Sequence, residues 1–159
     1  DYVQAGLSAV MTAHVLFDEV ESGIPATMSR RVVHGLLREE LGFDGVVVSD
    51  DIEMKAIADH YALEEVVVQG VLAGVDLFLV CHRSEVQQQA IEALVRAVES
   101  GRVSRERIEA SHRRLARLES RFTYPSRGRL ASLGTAEHRA LAEGLSSTFS
   151  GEDPTEALS

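Results

Sequence analysis

The sequence predicts an α/β fold built around a parallel sheet, and three observations carry that prediction. Three short apolar runs each stop at polar residues, helical patterns alternate with those runs, and two of the runs are continuously hydrophobic. Strands covered on both faces read as unbroken apolar stretches, as Val46-Val47-Val48 and Leu77-Phe78-Leu79-Val80 do.

The first strand is Ala9-Val10-Met11, which runs into Thr12-Ala13-His14. A helix follows, capped by Ser29, with Val32, Val33, Leu36 and Leu37 on one face and Gly42 as its stop. After the second strand, Glu64 to Ala73 reads as a helix whose stripe is Val67, Val68, Val71 and Leu72 and whose end is Gly74. The third strand leads to a helix opened by Ser84, carrying Val86, Ile91, Leu94, Val95 and Val98, and ended by Gly101. A fourth helix follows Ser104. It sets Ile108, Leu115, Leu118 and Phe122 on one side against Arg107, Arg113, Arg114, Arg117 and Arg121, which read as a solvated or salt-bridged face rather than an anion site. Beyond Tyr124-Pro125 the tail is rich in Gly, Ser and Thr, and only Ala136 to Glu143 has a helical pattern.

Composition narrows the function. The 159 residues are 45% hydrophobic and 26% charged, enough apolar surface for a core. Sixteen basic against 25 acidic residues give a net charge of −9, which argues against nucleic acid as a partner. No apolar stretch is long enough for a membrane span. The single cysteine, Cys81, sits at the end of an apolar run, cannot form an internal disulfide, and is read as a buried structural thiol. The chain starts Asp1-Tyr2-Val3-Gln4, without an initiating Met, as if cut from something longer.

The most informative stretch is Gly42 to Asp51, where a buried strand runs directly into Asp50 and Asp51. Ligands of parallel α/β folds gather at the carboxyl ends of strands. Taken alone, an Asp pair there is a helix cap about half the time, and a Mg²⁺ ligand, a nucleophile or a base share the rest. His14 and Cys81-His82-Arg83 fall at the ends of the flanking strands, so titratable groups converge on one rim. His14 is weighed evenly between a hydrogen bond to that rim and a ligand contact, and His82 is read as a plain loop residue.

Four blocks occur in a telling order: residues 9–15 (AVMTAHV), 25–29 (PATMS), 37–54 (LREELGFDGVVVSDDIEM) and 73–76 (AGVD). Together they resemble glycoside hydrolase family 3 over roughly Gly6 to Phe122, with a fainter echo at Glu137 to Glu143. Asp51-Ile52-Glu53-Met54-Lys55-Ala56 is similar to the β-N-acetylhexosaminidase branch, whereas β-glucosidases usually carry an aromatic after the nucleophile. The resemblance implies a partial TIM (β/α)8 barrel whose three strands match the sixth to eighth, with Asp50 as a retaining nucleophile. His14, Met11, Asp51 and Met54 would line or brace the sugar site.

The branch supplies its acid/base from a His loop, Lys-His-Phe-Pro-Gly-His-Gly, and that loop is absent from this sequence. The expectations are a barrel portion at 1–124 and a tail at 125–159, no metal and no cofactor. The expected partners are a carbohydrate substrate, an N-acetylglucosaminide or muropeptide, and the missing N-terminal part of the barrel. The isolated chain is expected to be inactive, and the cytoplasm is favoured over the cell exterior. The alternatives are a non-catalytic α/β domain in a larger assembly and a metal-binding module using Asp50, Asp51 and His14.

Overall fold

The structure is a computed structural model that describes residues 2–122 and 134–148. The chain divides into two units, Asp1–Phe122 and Thr123–Ser159. In the first, strands β1 (Ala9–Met11), β2 (Val46–Asp51) and β3 (Leu77–Leu79) form a parallel sheet in the order β1-β2-β3. A π-helix (Arg31–Glu40) lies between β1 and β2. Helices α1 (Lys55–Ala58) and α2 (Leu63–Ala73) lie between β2 and β3, and α3 (Ser84–Glu99) and α4 (Arg105–Phe122) follow β3. This is the predicted α/β arrangement of three parallel strands with flanking helices. In the second unit, α5 spans Ala136–Thr148 and contains the predicted 136–143 segment. The rest of the predicted tail lies outside the described residues.

Alternation along β2 decides which side chains meet helices. Val47, Ser49 and Asp51 are buried, while Val48 and Asp50 between them are only partly covered. Val47 packs with Val33, Phe43, Ala73 and Val75, so its side is the helix-covered face. The opposite face carries Met11, paired in register with Val48, which pairs in turn with Leu77. Met11 is 58% and Leu77 40% exposed, so apolar residues are bare there. Phe78, on the covered side of β3, touches all three apolar clusters of the core. Its ring fills the space that a side chain on Gly70 would need, with a Cβ there falling 2.7 Å from it.

Each of the four predicted helices departs somewhere from expectation: Leu72, predicted in the buried stripe of α2, is exposed at its last turn, and Ile91 and Val95 of α3 are exposed as well. Ser29 caps as predicted, its Oγ accepting the Val32 N–H at 3.0 Å, but the helix coils as a π-helix that ends with Leu41 N–H on the Leu36 carbonyl. The wider turn carries Leu36 off the stripe predicted at α-helical spacing, leaving it exposed while Val33 is buried. In α4, Ile108, Leu115 and Leu118 are partly buried but Phe122 is exposed, with the Arg121 guanidinium 5.6 Å from its ring centroid.

Candidate active site

The carboxyl end of β2 is shaped by an irregularity. Val48 pairs with Leu77 and Asp51 with Leu79, so three steps on β2 match two on β3. The mismatch takes the Leu79 N–H out of the regular ladder, and the buried Ser49 hydroxyl accepts it at 3.0 Å. Two residues later the chain leaves the sheet, with Asp50 on the bare face. Asp50 Oδ1 accepts the Asp51 N–H at 2.8 Å. Its Oδ2 has no hydrogen-bond partner among the described residues, so the carboxylate is oriented by one oxygen and open at the other.

Asp51, in contrast, is buried and fully engaged. Oδ1 accepts the N–H groups of Glu53 (3.1 Å) and Cys81 (3.3 Å), while Oδ2 lies 3.1 Å from His82 Nε2. Its carbonyl accepts from Met54 N at 3.1 Å and from His14 Nε2 at 3.0 Å. His14 Nδ1 is 3.0 Å from the Thr27 hydroxyl, which is itself 2.9 Å from that of Thr12. The structure therefore brings His14 and Asp51 into direct contact and joins Met54 to them through its backbone. Met54 projects an exposed side chain from the β2–α1 turn, and Met11 lies on the bare face of the sheet.

A second clasp closes the rim. Glu53 Oε2 accepts the N–H groups of His82 (2.7 Å) and Arg83 (3.1 Å), and Oε1 accepts Arg83 Nε at 2.7 Å. The Arg83 hydrogen bond, with the two backbone donors, holds the Glu53 carboxyl down to about 2. His82, read from sequence as a plain loop residue, is thus pinned at its backbone by Glu53 and at its ring by Asp51. The sequence reading also missed Thr27 and Glu53. Their signals were a Thr inside the Pro25–Ser29 block and an acid three residues beyond Asp50.

Cys81 corrects an expectation: it is exposed rather than buried. The apolar run that suggested burial leaves the sheet after Leu79, which puts Cys81 on the rim. Desolvation first, then the charges of Asp51 and Glu53, push its thiol up, which keeps it protonated and a weak nucleophile.

At the other end of the sheet, the side chain of Asp76 is completely buried. Its Oδ2 accepts Arg38 (2.7 Å) and Val47 N (3.0 Å), and its Oδ1 accepts Ser111 Oγ (2.6 Å) with Arg107 and Arg114 both at 3.4 Å. Burial pushes the Arg38 and Arg107 guanidiniums down, against the pull of Asp76. Arg114 and Arg117 also reach Asp44. The basic side of α4 is salt-bridged, and part of it is buried. This end ties α4 to the sheet, while the Asp50 end carries the open carboxylate.

A groove of about 480 Å³ runs between β3 and α3, lined by Leu77 to Cys81, Gln87, Ala90, Ile91 and Leu94, and it does not include Asp50. Among the described residues no group of three or more His, Cys, Asp or Glu side chains is arranged to hold a metal, and no helix is long and apolar enough to cross a membrane.

Residues 1–118 match the family model described as "Glycosyl hydrolase family 3 N terminal domain". The chain is similar to the structure of a glycoside hydrolase family 3 β-N-acetylglucosaminidase from Paenibacillus sp. str. FPU-7, with 49% identity and a TM-score of 0.77 over 91% of this chain and 28% of that one. The β-N-acetylglucosaminidase from Thermotoga maritima superposes with a TM-score of 0.69 at 34% identity, covering 74% of this chain and 26% of that one. A β-hexosaminidase from Thiobacillus denitrificans is 41% identical over 92 residues, 58% of this chain and 25% of its own length. The chain thus spans about a quarter of the length of these relatives.

Proposed function

This chain belongs to glycosyl hydrolase family 3, and on that premise we propose that it supplies the nucleophile-bearing part of a retaining β-N-acetylhexosaminidase barrel, with Asp50 as nucleophile. The observation that carries the proposal is the contrast between adjacent carboxylates. Asp51 is buried and has both oxygens occupied, whereas Asp50 is held by one oxygen and offers the other.

In this reading the ionised Asp50 attacks the anomeric carbon of a terminal β-linked N-acetylglucosamine while the glycosidic oxygen departs with a proton from a general acid. Water then cleaves the glycosyl-Asp ester with net retention. Met11 and Met54 offer apolar contact to the sugar, and Asp51 braces Asp50. His14 has both ring nitrogens on protein atoms. The substrate is a cell-wall-derived sugar, a muropeptide in peptidoglycan recycling.

The acid/base comes from another part of the full-length protein. A missing general acid alone lowers the rate by about 10²–10⁴. Residues 1–124 would be the carboxyl-terminal portion of the barrel and 125–159 a tail. The bare apolar face, the free edges of β1 and β3, and the groove beside β3 are where the remaining barrel would pack.

The test is inactivation of the full-length protein with a 5-fluoro N-acetylglucosaminide followed by peptide mapping. The label is expected on Asp50, and a label on another residue refutes the assignment. The 159-residue chain alone is expected not to turn over a nitrophenyl N-acetylglucosaminide.

A further inference from the structure

We infer that His14 is a positioning residue for Asp50, acting through Asp51, and does not itself grip the sugar. The inference rests on the assignment of Asp50 as nucleophile. A carbonyl only accepts, so Nε2 carries the proton in the 3.0 Å contact with the Asp51 carbonyl. In the neutral ring Nδ1 then accepts, and the Thr27 hydroxyl supplies the proton at 3.0 Å, closer than its 3.3 Å approach to the Ala13 carbonyl. The ring has no donor or acceptor left for a sugar hydroxyl.

What this network holds is the residue whose N–H orients Asp50. Asp51 is fixed at its carboxylate by the Cys81 N–H and His82, and at its carbonyl by His14 and Met54 N. Sheet pairing already joins β1 to β2, since the Thr12 N–H reaches the Val48 carbonyl at 2.8 Å. The His14 link is therefore additional to the ladder. It extends past the last strand bond to the point where Asp50 must be aimed. The Asp51 carbonyl fixes the tautomer, and the fully buried Thr27 hydroxyl orients the ring from its far nitrogen.

The experiment uses the full-length protein and the 5-fluoro inactivator, reading kinact and Ki separately. His14→Leu is expected to lower kinact by up to about 10²-fold, the scale of a small misplacement, with Ki unchanged. His14→Gln places an amide donor at the Nε2 position and is expected to recover most of that loss. His14→Asn reaches only the Nδ1 position and is expected not to recover it. Thr27→Val, which leaves the ring in place without its orienting hydroxyl, is expected to lower kinact in the same sense, and thermal melting reports whether each variant is folded.

A raised Ki with unchanged kinact would mean sugar contact and would overturn the inference. Equal recovery by Gln and Asn, or recovery by neither, would mean packing alone and would overturn it as well. Labelling of the unmodified protein away from Asp50 is read separately from the variants and overturns the nucleophile assignment together with this inference.

Discussion

Removing the Asp76 carboxylate should destabilise the fold more than any surface charge change. The side chain is 0% exposed and is the shared acceptor for Arg38, Arg107 and Arg114. Asp76→Ala leaves Arg38 and Arg107 without an anion and Arg114 with Asp44 alone, and it also strips partners from Val47 N–H and the Ser111 hydroxyl. Breaking a buried ion pair from one side costs about 3–5 kcal/mol. That is a large part of the roughly 5–15 kcal/mol that holds a typical domain together. Asp76→Asn keeps the volume and one acceptor. Its NH2 then faces either the Arg38 and Val47 donors or the Ser111, Arg107 and Arg114 donors, and leaving one set without an acceptor should cost about 3–5 kcal/mol, close to Asp76→Ala. The control is Glu64→Gln, which breaks the exposed pairs to Arg96 and Arg102 and should cost under about 1 kcal/mol. Urea unfolding followed by far-ultraviolet circular dichroism gives the three midpoints at constant slope. Arg107→Met placed in the Asp76→Asn background should recover part of the loss, because Arg107 pairs with no other carboxylate among the described residues and is then an uncompensated charge. Equal midpoints for Asp76→Ala and Glu64→Gln would refute the reasoning.

Ser49→Ala should cost about 1–3 kcal/mol, since it leaves the Leu79 N–H unpaired in a buried strand, and amide exchange at Leu79 should quicken. Gly45→Ala should cost about 1–3 kcal/mol or more in the same unfolding assay. Its Cβ would fall 2.5 Å from both the Ser8 carbonyl and the Phe43 ring, and β1 and β2 would have to separate. The Glu53 clasp follows a depressed carboxyl, so its contribution is present above the ordinary carboxylate range and is lost as pH falls through about 2. Carbon-detected titration of Glu53 should show that midpoint, and the His82 and Arg83 amides should lose protection with it. Cys81 is exposed but raised, so its alkylation by iodoacetamide at pH 8 should be slower than that of an unperturbed thiol, and Asp51→Asn should speed it.

The fold was legible because apolar runs and helical stripes are local signals. Val46 to Val48, the Ser29 cap and the stripe through Val67, Val68 and Val71 could be read without knowing what they touch. The site was legible only as a position: the place of Asp50 at a strand end follows from the run before it. Which carboxylate is free and which is engaged does not, because that depends on Cys81, His82 and His14, which lie 30, 31 and 37 residues from Asp51. Cys81 was misjudged for a related reason. An apolar run marks a strand but not where that strand leaves the sheet. The basic side of α4 looked uniform in sequence, and only Asp76 and Asp44, carried by other segments, sort its arginines into buried and exposed.

The irregular pairing between β2 and β3 gives Ser49 a significance beyond its own hydrogen bond. Side chains on a strand alternate, so sliding β2 by one residue would exchange its two neighbouring carboxylates, sending Asp51 to the bare face and Asp50 into the helix layer. Both are aspartates, and composition alone does not distinguish the correct frame from the shifted one. The Ser49 hydroxyl on the Leu79 amide acts as a peg for that frame. Which carboxylate is left open is in this sense written in the phase of the strand, one residue ahead of the carboxylate itself.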